Sequence, residues 1–296
     1  MTAETRPTPR RHTVLGAWAV REVASFHLGR VAGALAAEGL PLMVLKGMWL
    51  QHYAYRDADD RPFADLDLLV RRADLPRVET CLVALGYRLL IDAPGDVARL
   101  YVSEDGFQLD LHYDLFPDGL FRLRGDAMIA RGRRDEVLAG APVLVPEPYD
   151  GFAHLVGHFV KGRHGPGDTK LLRDFEELAR AAALLPDVAA AHLVDGGLRR
   201  AGLYALQFAR DPESFAARTR ARLPPDPVGE HVVRAIGVPH APEQPQRPGD
   251  RLFAFALDHD LPSGARACAR RLRALAREGG VRRVFRPTTL LHEDAK

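Results

Sequence analysis

The feature that most constrains this chain is the run Asp65-Leu66-Asp67-Leu68-Leu69-Val70, apolar enough to read as a buried strand yet carrying two carboxylates. An unpaired carboxylate in a largely buried strand costs several kcal/mol or takes up a proton instead. Alternate residues of a strand project from the same face, so Asp65 and Asp67 present paired acids while Leu66, Leu68 and Val70 hold the strand in place. A divalent hard cation offsets such a pair, because magnesium takes oxygen ligands and commonly combines one or two carboxylates with substrate phosphates. The bland alternative is that Asp65 caps the strand and Asp67 pairs with Arg61 or Arg71, and an Asp-x-Asp alone does not decide between them.

The upstream sequence bears on that choice. Residues 41–45 read as a short strand ending in Lys46-Gly47, with a helix following through about Tyr55. In a strand-turn-helix, free backbone N–H groups and the positive end of the helix receive phosphate oxygens. Phosphate on one side and metal-binding carboxylates on the other describe a nucleoside triphosphate site. Downstream, residues 98–103 and 107–115 read as two strands joined across Glu104-Asp105-Gly106, where the Asp-Gly pair is a hairpin signal. In the second of them Phe107, Leu109, Leu111 and Tyr113 form the core face, opposite Gln108, Asp110 and His112. If this strand lies beside the first, Asp110 is a third acid. Three acids at the edge of a sheet can hold two ions about 4 Å apart, one polarising an attacking hydroxyl and the other neutralising a leaving pyrophosphate.

Helical periodicity over 14–38, ended by Gly39, opens the chain, and LPRVETCLVAL forms another helix with Asp74 as its cap and Gly86 as its stop. Beyond Pro146 helices are expected over 149–160, 168–185, 188–194, 197–210, 228–236, 252–257 and 265–278, with the Pro-rich loop VPHAPEQPQRPGD among them. The fold class is therefore α/β (α+β). The expectation is a flexible tail over 1–12, a core over 13–145 with a small mixed sheet and flanking helices, and an α-helical domain over 146–296 that closes the cleft and selects the acceptor.

Composition excludes some classes. Among 296 residues, 41 basic and 39 acidic side chains leave a net charge of +2, so no global basic field gathers DNA, although RNA is not excluded. The two cysteines, Cys81 and Cys268, indicate neither a disulfide framework nor a zinc knuckle, and a reducing cytoplasm fits them best. No run reaches about 18 apolar residues and the first residues lack an apolar stretch, so neither a membrane span nor a signal peptide is expected.

Several stretches together resemble the nucleotidyltransferases of the DNA polymerase β superfamily, within the group described as uncharacterised nucleotidyltransferases. They are VLKG ending at Gly47, RPFADLDLLV from Arg61, LGY ending at Tyr87, LDLHYDL from Leu109, and HLVGHFVKGRHG followed by LLRDFEELA. The resemblance implies a minimal nucleotidyltransferase core in which Asp65 and Asp67 bind Mg²⁺ or Mn²⁺ and Asp110 touches the catalytic metal and helps deprotonate the acceptor. It implies transfer of a nucleoside monophosphate from an NTP such as ATP, with pyrophosphate released. Where the wider superfamily has Gly-Ser or Gly-Gly, this chain has Lys46-Gly47, so Lys46 is the candidate to supply a cation to the triphosphate. The acceptor is expected to be a hydroxyl or phosphate on a small molecule or peptide, with tRNA as the competitor. A catalytically inactive nucleotide-binding module and a helical interaction protein are the rival classes.

Arg61 either meets phosphate or pairs with an acid, and His112 orients Asp110, touches the acceptor or serves a structural hydrogen bond. His154 and His158 stand one turn apart with Lys161 a turn on, and lack the glutamate of a metalloprotease motif. That polar stripe is read as facing the cleft, with Lys161 near the triphosphate, or else as a solvated face. Asp174 is read either as a cleft acid or as a helix-surface charge pairing with Arg173 or Arg180, and the arginine-rich run RACARRLRALAREGGVRRVFR either holds RNA backbone or is solvated.

Overall fold

Alternating apolar residues and short turns build a mixed sheet in the N-terminal half, and helical periodicity takes over after Pro146. The computed structural model describes residues 11–92, 96–138, 140 and 142–236, with 257, 258, 265 and 269 besides. Apart from those single positions, the Pro-rich loop, the helices expected over 252–257 and 265–278 and the arginine-rich run lie outside the described residues, as do residues 1–10.

Helix α1 (Arg11–Ala37) is followed by β1 (Met43–Val44), α2 (Lys46–Tyr53), β2 (Leu66–Leu69), α3 (Leu75–Ala84), β3 (Arg88–Asp92), β4 (Ala98–Val102) and β5 (Gln108–His112). Then come α4 (Gly125–Arg131), β6 (Arg133–Asp135) and β7 (Val143–Val145). The strands form one seven-stranded sheet in the order β3-β4-β5-β2-β1-β7-β6. It is mixed: β2 runs parallel to β5 and β1 to β7, while β1/β2, β4/β5 and β6/β7 are antiparallel. The β4–β5 hairpin turns at Gly106, whose φ of +86° is a conformation that glycine adopts without strain.

Helix α1 is fixed to that hairpin by one buried imidazole. His27 meets the Tyr87 hydroxyl through Nδ1 at 2.6 Å and the Asp105 carboxylate through Nε2 at 3.1 Å, and its ring stacks on Phe107 at 4.5 Å. Sequence reasoning had Asp74 capping α3, but its side chain makes no capping hydrogen bond, because a 3-10 turn over Arg72–Asp74 leads into the helix. Strands β3, β6 and β7 and helices α4 and α9 were not anticipated. In β3, Leu89, Leu90 and Ile91 are all exposed, so among the described residues nothing covers either face of this edge strand and no alternating pattern marks it.

The helices that follow are α5 (Pro148–Lys161), α6 (Thr169–Ala182), α7 (Pro186–Asp195), α8 (Arg199–Ala205), α9 (Phe215–Arg222) and α10 (Pro227–Ile236). The sheet belongs to one compact unit, reaching to Ile91 and including Ala98–Tyr113 and Met128–Glu147; the chain from Pro148, with Asp114–Ala127, belongs to a second. In the second unit α5 packs on α6, α7 and α8 around Phe152, Phe159, Phe175 and Tyr204. Among the described residues no helix is long and apolar enough to cross a membrane.

Gly157 of α5 tests how tightly this second core is filled. A Cβ there would lie 2.2 Å from the Phe116 ring and 3.1 Å from Leu198. Phe116 is fully buried and set edge-on against Phe121 at 4.9 Å, so it has nowhere to turn. For Gly157→Ala, an overpacking cost of about 1–3 kcal/mol should outweigh the roughly 1 kcal/mol of helix propensity gained. A lower urea midpoint than wild type is the expected result.

Candidate functional site

The site grows from the pairing of β2 with β5. Their parallel register sets Leu66 against Leu109, Asp67 against Asp110 and Leu68 against Leu111. The four leucines are fully buried, so the alternate positions, Asp67 and Asp110, share the opposite face. His112, two residues beyond Asp110, projects from that face as well. Its Nε2 lies 3.2 Å from Asp67 Oδ1 and 3.1 Å from Asp110 Oδ2. Among the described residues, Asp67, Asp110 and His112 form a group whose ligand atoms lie within 4.8 Å of one another, close enough to hold one ion. Asp65 stands just before β2, exposed, and outside that group.

Lys46 completes the cluster from the other side. Val44 of β1 is registered against Leu68 of β2, and the Leu45 N–H donates to the Asp67 carbonyl at 2.9 Å. The antiparallel ladder thus delivers Lys46, the first residue of α2, beside Asp67, and its Nζ lies 2.5 Å from Asp67 Oδ1. The backbone of Lys46 is left-handed, with φ of +45°, at a cost of roughly 1–2 kcal/mol for a residue with a side chain.

The electrostatics follow from these contacts. Burial disfavours the Asp67 carboxylate, but the adjoining Lys46 ammonium and the His112 hydrogen bond outweigh it and hold its pKa well below the usual carboxylate range. Burial likewise works against the Lys46 ammonium and is outweighed by Asp67, Asp110 and Asp65, so Lys46 is raised. For His112, burial and the nearby ammonium oppose protonation, yet the Asp110 and Asp67 carboxylates prevail and raise it. Asp65 is pushed up by the protein packed along one side of it and then by the charge of Asp67. The His112 Nδ1 is buried without a hydrogen-bond partner. Two carboxylates with an imidazole beside them fit magnesium or manganese, and Lys46 shows that the cluster already takes a cation.

The remaining candidates fall in different places. Gly47 is buried in the first turn of α2, where a Cβ would lie 2.7 Å from the Cβ of Phe63, so packing alone requires glycine there. Arg61 is buried and donates to the Pro62 carbonyl at 2.9 Å, in a turn also held by Gln51, whose amide donates to the Ala58 and Arg61 carbonyls. Lys161 belongs to the second unit, at the end of α5, and its ammonium lies 3.0 Å from Asp96 Oδ1. His154 is buried with its ring 6.0 Å from that of Phe116, and the His158 ring lies 5.7 Å from that of His164. Of the two readings of Asp174, full burial in α6 sets aside the surface charge, while Arg173 and Arg180 each lie against Glu177. The Lys46–Asp67 contact was missed from sequence, although an antiparallel register between residues 41–45 and 65–70 would have revealed it.

Comparison with known proteins adds a family. The model of the family described as "Uncharacterised nucleotidyltransferase" matches residues 17–212. No curated protein matches the chain. Among solved structures, a crystal structure of ANT(2'')-Ia in complex with adenylyl-2''-tobramycin is similar at 18% identity and a TM-score of 0.43, covering 58% of this chain and 95% of that one. A solution structure of the antibiotic-resistance factor ANT(2'')-Ia is similar at 18% identity and a TM-score of 0.42, covering 58% and 89%.

The raised His112 carries a pH signature. A histidine whose folded pKa lies above its unfolded value, about 6.5, contributes stability that is complete below that value and is lost as pH rises through the folded one. In EDTA, wild type should therefore lose stability relative to His112→Asn as pH is raised above about 6.5, and urea melts at a series of pH values measure it.

Proposed function

Because the chain belongs to the uncharacterised nucleotidyltransferase family, matched over residues 17–212, we propose that it uses the Asp67–Asp110–His112 cluster to move a nucleoside monophosphate from an NTP to an acceptor oxygen. The observation that carries this reading is the register of β2 against β5, which opposes Asp67 and Asp110 and adds His112 to the pair. Asp67 and Asp110, with Asp65 at the strand end and His112 beside them, would hold Mg²⁺ or Mn²⁺. Bound there, the ion supplies positive charge to the departing pyrophosphate and lowers the pKa of the attacking hydroxyl.

The chain's own groups do the rest. The acceptor oxygen attacks the α-phosphorus in line, the bond from that phosphorus to the bridging oxygen breaks, and pyrophosphate departs. Asp110, half-buried at 28% side-chain exposure, is open to a ligand and takes the hydroxyl proton. The first turn of α2, whose N-cap Leu45 offers no side-chain cap, turns its free N–H groups to phosphate oxygens, and Lys46, the first residue of that helix, supplies a cation. Positioning and electrostatics account for the catalysis, with no covalent nucleophile. A small molecule or peptide is the acceptor that suits a chain with net charge of only +2.

The test is incubation with each of the four labelled NTPs, Mg²⁺ or Mn²⁺, and a cell extract separated into RNA, protein and small molecules. Label should enter the small-molecule or protein fraction, and fall by roughly a hundredfold or more with Asp67→Asn or Asp110→Asn. Label entering RNA alone overturns the acceptor assignment. No label in any fraction, with no thermal shift from any NTP plus metal, overturns the enzyme reading.

A further inference from the structure

One oxygen of the cluster is already fully engaged. Asp67 Oδ1 takes the Lys46 ammonium at 2.5 Å and the His112 Nε2 at 3.2 Å, inside a pocket where the Lys46 and Asp67 side chains are only 12% and 8% exposed. A divalent ion drawn to this carboxylate meets an ammonium already in contact with it, and the two positive charges compete for the same oxygen. The lysine also sits where its backbone is strained, with φ of +45°, a position at which glycine would be free of cost. Keeping a long cationic side chain there argues that the ammonium itself is needed.

We propose that the Lys46 ammonium is a tethered stand-in for the metal: it holds Asp67 in the metal-free protein, is displaced when a divalent cation binds, and then becomes the charge that meets the nucleotide's phosphates. This rests on the metal reading of the Asp67–Asp110–His112 cluster. The exchange makes one side chain serve two states. Before loading it neutralises a buried carboxylate that would otherwise be left with the His112 imidazole alone. After loading it is released, so that metal and triphosphate assist each other's binding although Lys46 itself ligates no ion. Metal affinity is then reduced by the fraction of molecules in which the lysine still holds Asp67.

Two measurements test it. The first titrates Mn²⁺ alone against wild type and Lys46→Met, reading free Mn²⁺ by electron paramagnetic resonance. Lys46→Met should bind Mn²⁺ roughly tenfold more tightly, because the competing state is gone. A non-hydrolysable triphosphate should tighten Mn²⁺ binding in wild type and much less in the variant. Equal or weaker Mn²⁺ binding by a folded Lys46→Met overturns the proposal.

The second measurement uses wild type and so does not depend on the variant folding. The chain has four lysines, Lys46, Lys161, Lys170 and Lys296, so reductive methylation is read at each by peptide mass spectrometry. Saturating Mn²⁺ should raise the reactivity of Lys46 while leaving Lys161 and Lys170 unchanged. Lys46 reactivity that Mn²⁺ leaves unaltered, in protein shown to bind it, overturns the exchange and spares the metal site. Failure of wild type to bind Mn²⁺, with or without triphosphate, removes the metal reading and the exchange together.

Discussion

Parallel pairing of β2 with β5 is the constraint on which the site depends. Leu66, Leu68, Leu109 and Leu111 are fully buried on one side of these strands, and a slip of one residue would turn them to the polar face and drive Asp67 into the core. Burial of apolar side chains thus sets the register, and the register sets Asp67 opposite Asp110. His112 joins them because it follows Asp110 by the strand period. The chemistry is therefore arranged by residues that take no part in it.

Electrostatics sets the second condition. Gathering Asp67 and Asp110 around a largely buried point is unfavourable without cations, and Lys46 and His112 supply them. A buried pair of this kind contributes little net stability, yet removing one partner typically costs about 3–5 kcal/mol because the other is left buried and charged. The cluster's acid stability has a defined sign. The depressed Asp67 contributes stability present above the ordinary carboxylate value of about 3.9, lost as pH falls toward its folded value.

The parts legible in the sequence were those with local signals. Alternation in residues 107–115 and the Asp105-Gly106 turn revealed β5 and its hairpin, and the apolar run interrupted by Asp67 revealed β2. The long helices α1, α5 and α6 followed from periodicity, and the family resemblance matched the chain's assignment. Strand β3 stayed hidden because Leu89, Leu90 and Ile91 are exposed on both faces, and β6 and β7 because three residues are too few to show a period. Asp174 stayed open between a cleft acid and a surface charge because arginines flank it in sequence, whereas its position in α6 turns it inward. The contact between Lys46 and Asp67 is a product of tertiary register between segments separated by a whole helix. Local pattern does not encode it.

The crowding of Gly47 against Phe63 has a geometric consequence. With 2.7 Å between a would-be Cβ and the Cβ of Phe63, no side chain can be added at 47 while position 63 stays where it is. A side chain at 47 would push the segment leading into Asp65 away from α2, and so change the spacing between Lys46 and the carboxylates. Trimming Phe63 does not relieve the contact, because every residue except glycine carries a Cβ, so a side chain at 47 requires the approach to β2 itself to move.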